Sequence, residues 1–215
     1  MKRIFYLLIL SLLVSVANSQ EPKQGITHYL FPEFTKGVVL MKTGVKNETS
    51  LNFNSLTEEM IFENRGVKLA LGQLEQIDTV YIRGRKFFPL NGKFVELILH
   101  SAYDLYAEHK CKVKDPGKPS GYGGSSQTAA TTTYSTFFSG SQVYDMKLPE
   151  SVETNPYTFY WLKKDGELIK FVSMRQLSKI FEDKSSPLKK FVKEHHVSFD
   201  DQDSMVGLIR FLGSN

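Results

Sequence analysis

Residues 105–113 constrain the fold more than any other stretch. Leu105, Ala107, His109, Cys111 and Val113 take one set of alternate positions; Tyr106, Glu108, Lys110 and Lys112 take the other. A period of two belongs to a β-strand, whose successive side chains point to opposite faces. The stretch therefore predicts a strand with one buried and one wet face. Upstream, Asn91-Gly92 separates the extended runs 86–89 and 94–99. Asn-Gly tolerates the positive φ values that a tight hairpin turn demands. The block 77–113 reads as three extended runs broken by one sharp turn, the centre of an antiparallel sheet.

The chain on either side fits that centre. Residues 37–41 form a short apolar strand, 50–54 alternate, and 57–62 with 67–71 read as strands around an Asn64-Arg65-Gly66 turn. Asn47-Glu48-Thr49 matches a glycosylation acceptor and reads as a polar turn between strands. Further on, Asp165-Gly166 separates 158–162 from 167–172 as a second hairpin. From Ser173 the period becomes helical. Ser173 and Gln176 make a capping-box pattern, with Met174, Leu177, Ile180 and Phe181 on one face. Ser186-Pro187 predicts the start of a second helix. Asp200 predicts the cap of a third, whose Met205, Leu208, Ile209 and Leu212 recur at helical spacing. The fold class expected is α+β: a mainly antiparallel sheet, sandwich-like or an open barrel, followed by three short helices. Helices this short are marginal alone, so residues 173–215 must pack on each other or on the sheet.

Between these regions, residues 115–142 are rich in Gly, Ser and Thr. Such a stretch buries too little apolar surface to offset its ordering entropy, so it reads as a long loop inserted within the β-rich domain of residues 20–172. A polar insertion on a rigid scaffold is a usual place for contact with a partner. Its large side chains, Tyr122, Tyr134, Phe137 and Phe138, are the candidate contact residues.

The first 19 residues set the expected location. Lys2 and Arg3 precede an apolar run from Ile4 to Val14 interrupted only by Ser11, and small residues follow at Ala17 and Ser19. This is the pattern of a secretory signal peptide cleaved after Ser19, and the run is too short to span a bilayer. Loss of Lys2 and Arg3 leaves 25 basic against 23 acidic residues in the mature chain. That near balance gives no basis for a nucleic-acid partner. No second stretch reaches membrane-spanning length. Cys111 is the single cysteine, so no disulfide within the chain is possible and the domain rests on its core. A periplasmic or secreted protein is the expectation.

No catalytic pattern emerges. The Gly-rich 120–126 lacks the Gly-Lys-Ser/Thr ending of a phosphate loop. There is no Gly-x-Ser-x-Gly elbow, and His28, His100, His109, His195 and His196 follow no hydrolase spacing. One Cys and scattered His meet no zinc pattern, and Asp201-x-Asp203 lacks the glycine and glutamate of a calcium loop. Catalytic residues, cofactor and metal ligands are therefore assigned to none. The lysines of 110–118 and the many aromatics allow contact with an anionic surface or glycan. The class expected is a non-enzymatic binding module of the cell envelope, its partner a protein or a glycan. The alternatives are a hydrolase of envelope polymers, which would need His109, His195 or His196 beside a Ser or carboxylate in a pocket, and a structural envelope component.

Two stretches carry a resemblance. Tyr122-Gly123-Gly124-Ser125-Ser126 leads to Tyr144-Asp145-Met146-Lys147-Leu148-Pro149. Tyr160-Trp161-Leu162-Lys163-Lys164-Asp165-Gly166 runs on to Lys179-Ile180-Phe181-Glu182-Asp183-Lys184. Together they resemble uncharacterised exported proteins of Bacteroidetes-type Gram-negative bacteria. The resemblance covers most of the mature chain and rests on structural residues. It implies a periplasmic or envelope setting and transfers no site residue.

Overall fold

The computed structural model describes residues 28–114, 118–119, 125–126 and 153–214. Strands β1 (Thr35–Met41), β2 (Lys46–Asn54), β3 (Glu59–Asn64) and β4 (Val67–Ala70) come first, then β5 (Ile77–Ile82), β6 (Arg85–Leu90), β7 (Lys93–Leu99) and β8 (Asp104–Lys114). Two residue pairs, β9 (Lys118–Pro119) and β10 (Ser125–Ser126), form a small separate ladder. Strands β11 (Glu153–Lys164) and β12 (Glu167–Phe171) precede helices α1 (Met174–Ile180), α2 (Ser185–Glu194) and α3 (Gln202–Ser214). Ten strands make one open sheet in the order β12-β11-β8-β7-β6-β5-β1-β2-β3-β4. All neighbours are antiparallel. The α+β expectation holds.

Two-residue turns set the sheet. Arg65-Gly66, Arg83-Gly84, Asn91-Gly92 and Asp165-Gly166 all have positive φ at both positions, the geometry whose twist matches flanking strands. The Arg83-Gly84 turn is an addition to the expected three runs and one sharp turn, so 77–113 holds four strands and two tight turns. Asn47, Glu48 and Thr49 do not form a turn; they lie inside β2, paired with Val39, Val38 and Gly37. The reversal sits earlier, where Met41 N–H donates to the Val45 carbonyl at 2.8 Å.

The sheet curls. Phe53 of β2 and His109 of β8 approach edge to face at 6.3 Å, although four strands separate them in the sheet. The turn between β2 and β3 fastens the curl. There Glu58, at φ 62°, takes ion pairs from Lys93 (2.7 Å) and Lys110. Inside lies one core, with Phe31, Leu51, Phe53, Met60, Val80, Phe87 and Phe94 buried. The entering N-terminal segment closes it, held by Asn52, whose Nδ2 donates to the Phe31 carbonyl at 2.9 Å.

A second core lies between the other half of the sheet and the helices. Leu105, Ala107, Tyr160, Leu162 and Phe171 meet Leu177, Phe181, Leu188, Met205, Leu208, Ile209 and Leu212. Helix α1 is capped as its sequence predicts. Ser173 Oγ accepts from Gln176 N–H at 3.3 Å, and Gln176 Oε1 accepts from Val172 N–H at 2.8 Å. The other two helices start elsewhere than expected. Helix α2 begins at Ser185, ahead of Ser186-Pro187, with no side-chain cap. At α3 it is Asp201, not Asp200, that accepts from Asp203 N–H at 3.2 Å. Among the described residues no helix is long and apolar enough to cross a membrane.

Gly37 shows how tightly the sheet is built. It pairs with Thr49 on one side and Ile82 on the other. A Cβ there would sit 2.5 Å from the Tyr81 carbonyl oxygen and 2.7 Å from Leu51 Cδ1. Gly37→Ala should therefore cost about 1–3 kcal/mol and lower Tm. Gly207→Ala, in a helix with open space around the new methyl, should add about 0.5–1 kcal/mol. Thermal melts of the two variants check both signs.

Candidate functional site

Strand β8 carries a titratable cluster on each face. On the inner face, pairing places Glu96 of β7 opposite Phe87 of β6 and Ala107 of β8. One step along β8, His109 turns to the same side. Arg85 of β6 grips the Glu96 carboxylate with Nε and Nη2, and His109 Nε2 lies 2.6 Å from Glu96 Oε2. The arginine also lies over the Phe31 ring at 5.0 Å. Glu96 is only 4% exposed. Burial opposes its ionisation, but hydrogen bonds from Arg85 and His109, and their charge, outweigh that and hold the carboxyl below the usual range.

This arrangement fixes the histidine tautomer. An ionised carboxylate only accepts, so the proton between Glu96 and His109 sits on Nε2. Arg85 Nη2, at 3.2 Å from Nε2, is also a donor; the two donors meet through the carboxylate they share. The other ring nitrogen, Nδ1, makes no hydrogen bond to a described residue. His109 borders a cavity of about 450 Å³, lined also by Ser55, Lys110, Asn155, Tyr157 and Asp200. A carboxylate that orients a histidine leaves the opposite nitrogen able to accept a proton or hydrogen bond. In His109 that nitrogen is Nδ1.

The outer face of β8 departs from the wet face expected of it. Glu108 is 5% exposed. Its carboxylate accepts from Trp161 Nε1 at 2.7 Å and from Lys170 Nζ at 2.9 Å, with Lys110 Nζ at 3.3 Å. Burial opposes ionisation of Glu108, and the bonds from Lys170 and Trp161 with the charges of Lys170 and Lys110 overcome it, so its carboxyl too is held low. Lys110 is likewise half-buried, with Glu58 raising its pKa against the effect of burial. Indole and lysine stems from β11 and β12 cover the strand, and alternation in one strand carries no record of what its neighbours lay across it.

The remaining sequence candidates are not brought together. Tyr122, Tyr134, Phe137 and Phe138 of the 115–142 insertion lie outside the described residues, as does the expected leader. His100 pairs with Asp104 at 2.6 Å on the surface. His195 and His196 are exposed at the end of α2, with His195 against Phe191 at 4.1 Å. His28 is buried, its Nε2 without a partner among the described residues, and burial with nearby Lys68 lowers its pKa. The Cys111 thiol is buried and pushed up by that burial. Asp201 and Asp203 serve the start of α3. Among the described residues no three His, Cys, Asp or Glu are placed to hold a metal ion. The Glu96–His109–Arg85 group went unread because its members are 11 to 24 residues apart. Its one local sign is a glutamate inside the otherwise apolar run 94–99. No protein family, curated protein or solved structure matches the chain.

The depressed carboxyls of Glu96 and Glu108 make stability depend on acidity. Their contribution is complete above the unfolded value, about 4.3, and is lost as pH falls through the lower folded values. Glu59, whose carboxyl burial raises, works in the opposite sense. Urea unfolding at pH 7 should show Glu96→Gln weaker by about 2–3 kcal/mol. The deficit should shrink as pH falls from about 5 toward 2. A deficit that does not change with pH would mean the Glu96 carboxyl is not held low.

Proposed function

We propose that the protein is exported, works at the cell envelope as a non-enzymatic binding module, and seats a small hydroxyl-bearing ligand in the cavity beside His109. The observation that carries the reading is the orientation of His109. Glu96 and Arg85 hold its Nε2, and the residue borders a cavity whose size suits a small molecule. Lys110, Asn155, Thr158 and Asp200 supply further polar groups around it, an arrangement that can ring a sugar or hydroxy acid with donors and acceptors. The N-terminal leader pattern and the likeness to exported Bacteroidetes-type proteins support the envelope setting. The residues of 115–142, with Tyr122, Tyr134, Phe137 and Phe138, remain the proposed contact for a protein partner.

One observation favours a second reading. A histidine backed by a carboxylate shares its cavity with Ser55, which meets part of what a hydrolase needs. No serine hydroxyl lies within hydrogen-bond reach of His109 among the described residues, so the binding reading stands first.

A panel of monosaccharides and hydroxy acids, added at millimolar concentration in thermal-shift assays, separates the two. A ligand at about 100 times its Kd adds about 2.7 kcal/mol, a rise of several degrees that His109→Gln should abolish. No shift across the panel, together with p-nitrophenyl ester turnover lost in the same variant, would replace binding with hydrolysis.

A further inference from the structure

The sheet face opposite the helices carries a row of aromatic rings. Tyr157, Phe159 and Trp161 alternate along β11, and pair in register with Lys110, Glu108 and Tyr106 of β8. Phe88 of β6 extends the row, edge to face with Tyr106 at 6.1 Å. Lysines interleave with the rings. Lys112 Nζ lies 4.7 Å from the Tyr157 centroid, and Lys170 Nζ lies 5.2 Å from those of Phe159 and Trp161. Trp161 is fixed by its bond to buried Glu108. The three helices pack on the opposite face, and these rings are half-exposed.

Charge selects among ligands for such a face. Lys86, Lys110, Lys112 and Lys170 lie along it; of these, Lys110 pairs with Glu58 and Glu108, and Lys170 with Glu108. Lys86 and Lys112 make no ion pair among the described residues. The face is thus positive, but sparsely so. A nucleic acid strand carries a charge on every unit and is bound by grooves lined with unmatched cations. A bilayer surface favours protruding apolar tips with charges at the rim; here a glutamate sits at the centre and the rings lie between ammonium groups. An extended sugar polymer fits better. Its C–H faces lie on rings spaced two residues apart along a strand, and occasional carboxylates meet free lysines.

We propose that this face of β8, β11 and β12 is a second binding surface, for an extended acidic glycan in which charged and neutral sugars alternate. It meets the cavity beside His109 at Lys110 and Tyr157, which border both, whereas Phe159, Trp161, Lys86 and Lys112 lie outside that lining.

Trp161 is the chain's single tryptophan, so indole emission, excited selectively over tyrosine, reports on this surface. Titration with hyaluronan oligosaccharides, in which a uronic acid alternates with a neutral sugar, should give a saturable change in emission that weakens with added salt. The Lys86→Ala/Lys112→Ala double variant touches exposed side chains and should keep the far-UV spectrum. It should raise Kd about tenfold or more, as expected for two lost charge contacts. Phe159→Ala should weaken binding as well, provided its melt stays cooperative. An unchanged emission with hyaluronan, or an unchanged Kd in the lysine variant, would overturn the proposal. So would equal binding of neutral dextran, or a response only to oligo-dT or to phosphatidylglycerol vesicles.

Discussion

A buried charge on each face of one strand organises the molecule. On β8, His109 looks inward to Glu96 and Arg85, while Glu108 looks outward to Trp161, Lys110 and Lys170. Taking a carboxylate out of water costs several kcal/mol unless charge and hydrogen bonds replace the lost hydration. Both glutamates are supplied with partners that satisfy both carboxylate oxygens. The consequence is positional. A slip of β8 by one residue would exchange its faces, pushing Glu108 toward the apolar core under the helices and taking His109 away from Glu96. The two clusters therefore fix the register of β6, β7, β8 and β11 more firmly than apolar contacts alone can, since a methyl group tolerates a shifted neighbour and a buried carboxylate does not.

That register places everything else. Up to Leu105 and Ala107, β8 belongs to the core shared with the helices; from His109 on it belongs to the curl of the sheet. The cavity opens where the two regions meet, between the Ser55 turn, the end of β8, the start of β11 and Asp200 ahead of α3. Glu58 holds the curl against β7 and β8 through Lys93 and Lys110. Because Lys110 also binds Glu108 and borders the cavity, the outer cluster and the cavity share one residue.

Much of the fold was legible in the sequence, for local reasons. The alternation of 105–113 follows from a strand that must hide one side, and Asn91-Gly92 and Asp165-Gly166 announce turns that need positive φ. The helical repeat of Met205, Leu208, Ile209 and Leu212 appears as four fully buried side chains. Arg83-Gly84 makes the same turn without the Asn or Asp that marks it, and so gives no local turn signal. Asn47-Glu48-Thr49 looks like a turn because it is polar, yet it is the exposed first part of β2, ahead of the buried Leu51 and Phe53. The cap of α3 moved by one residue because three nearby aspartates offer equivalent oxygens, and only the backbone path selects Asp201. The site was not legible. His109 reads as a satisfied imidazole on a buried face, and so it is, but the partner that satisfies it comes from another strand. Glu108 reads as solvated because nothing in β8 announces the tryptophan that covers it.

Glu96 holds the Nε2 proton of His109 and leaves Nδ1 as the unprotonated ring nitrogen. Nitrogen NMR of the His109 ring, at a pH where the ring is neutral, tests this directly. The account predicts a protonated Nε2 and an unprotonated Nδ1, with that pattern lost in Glu96→Gln. A neutral ring protonated at Nδ1 would contradict it.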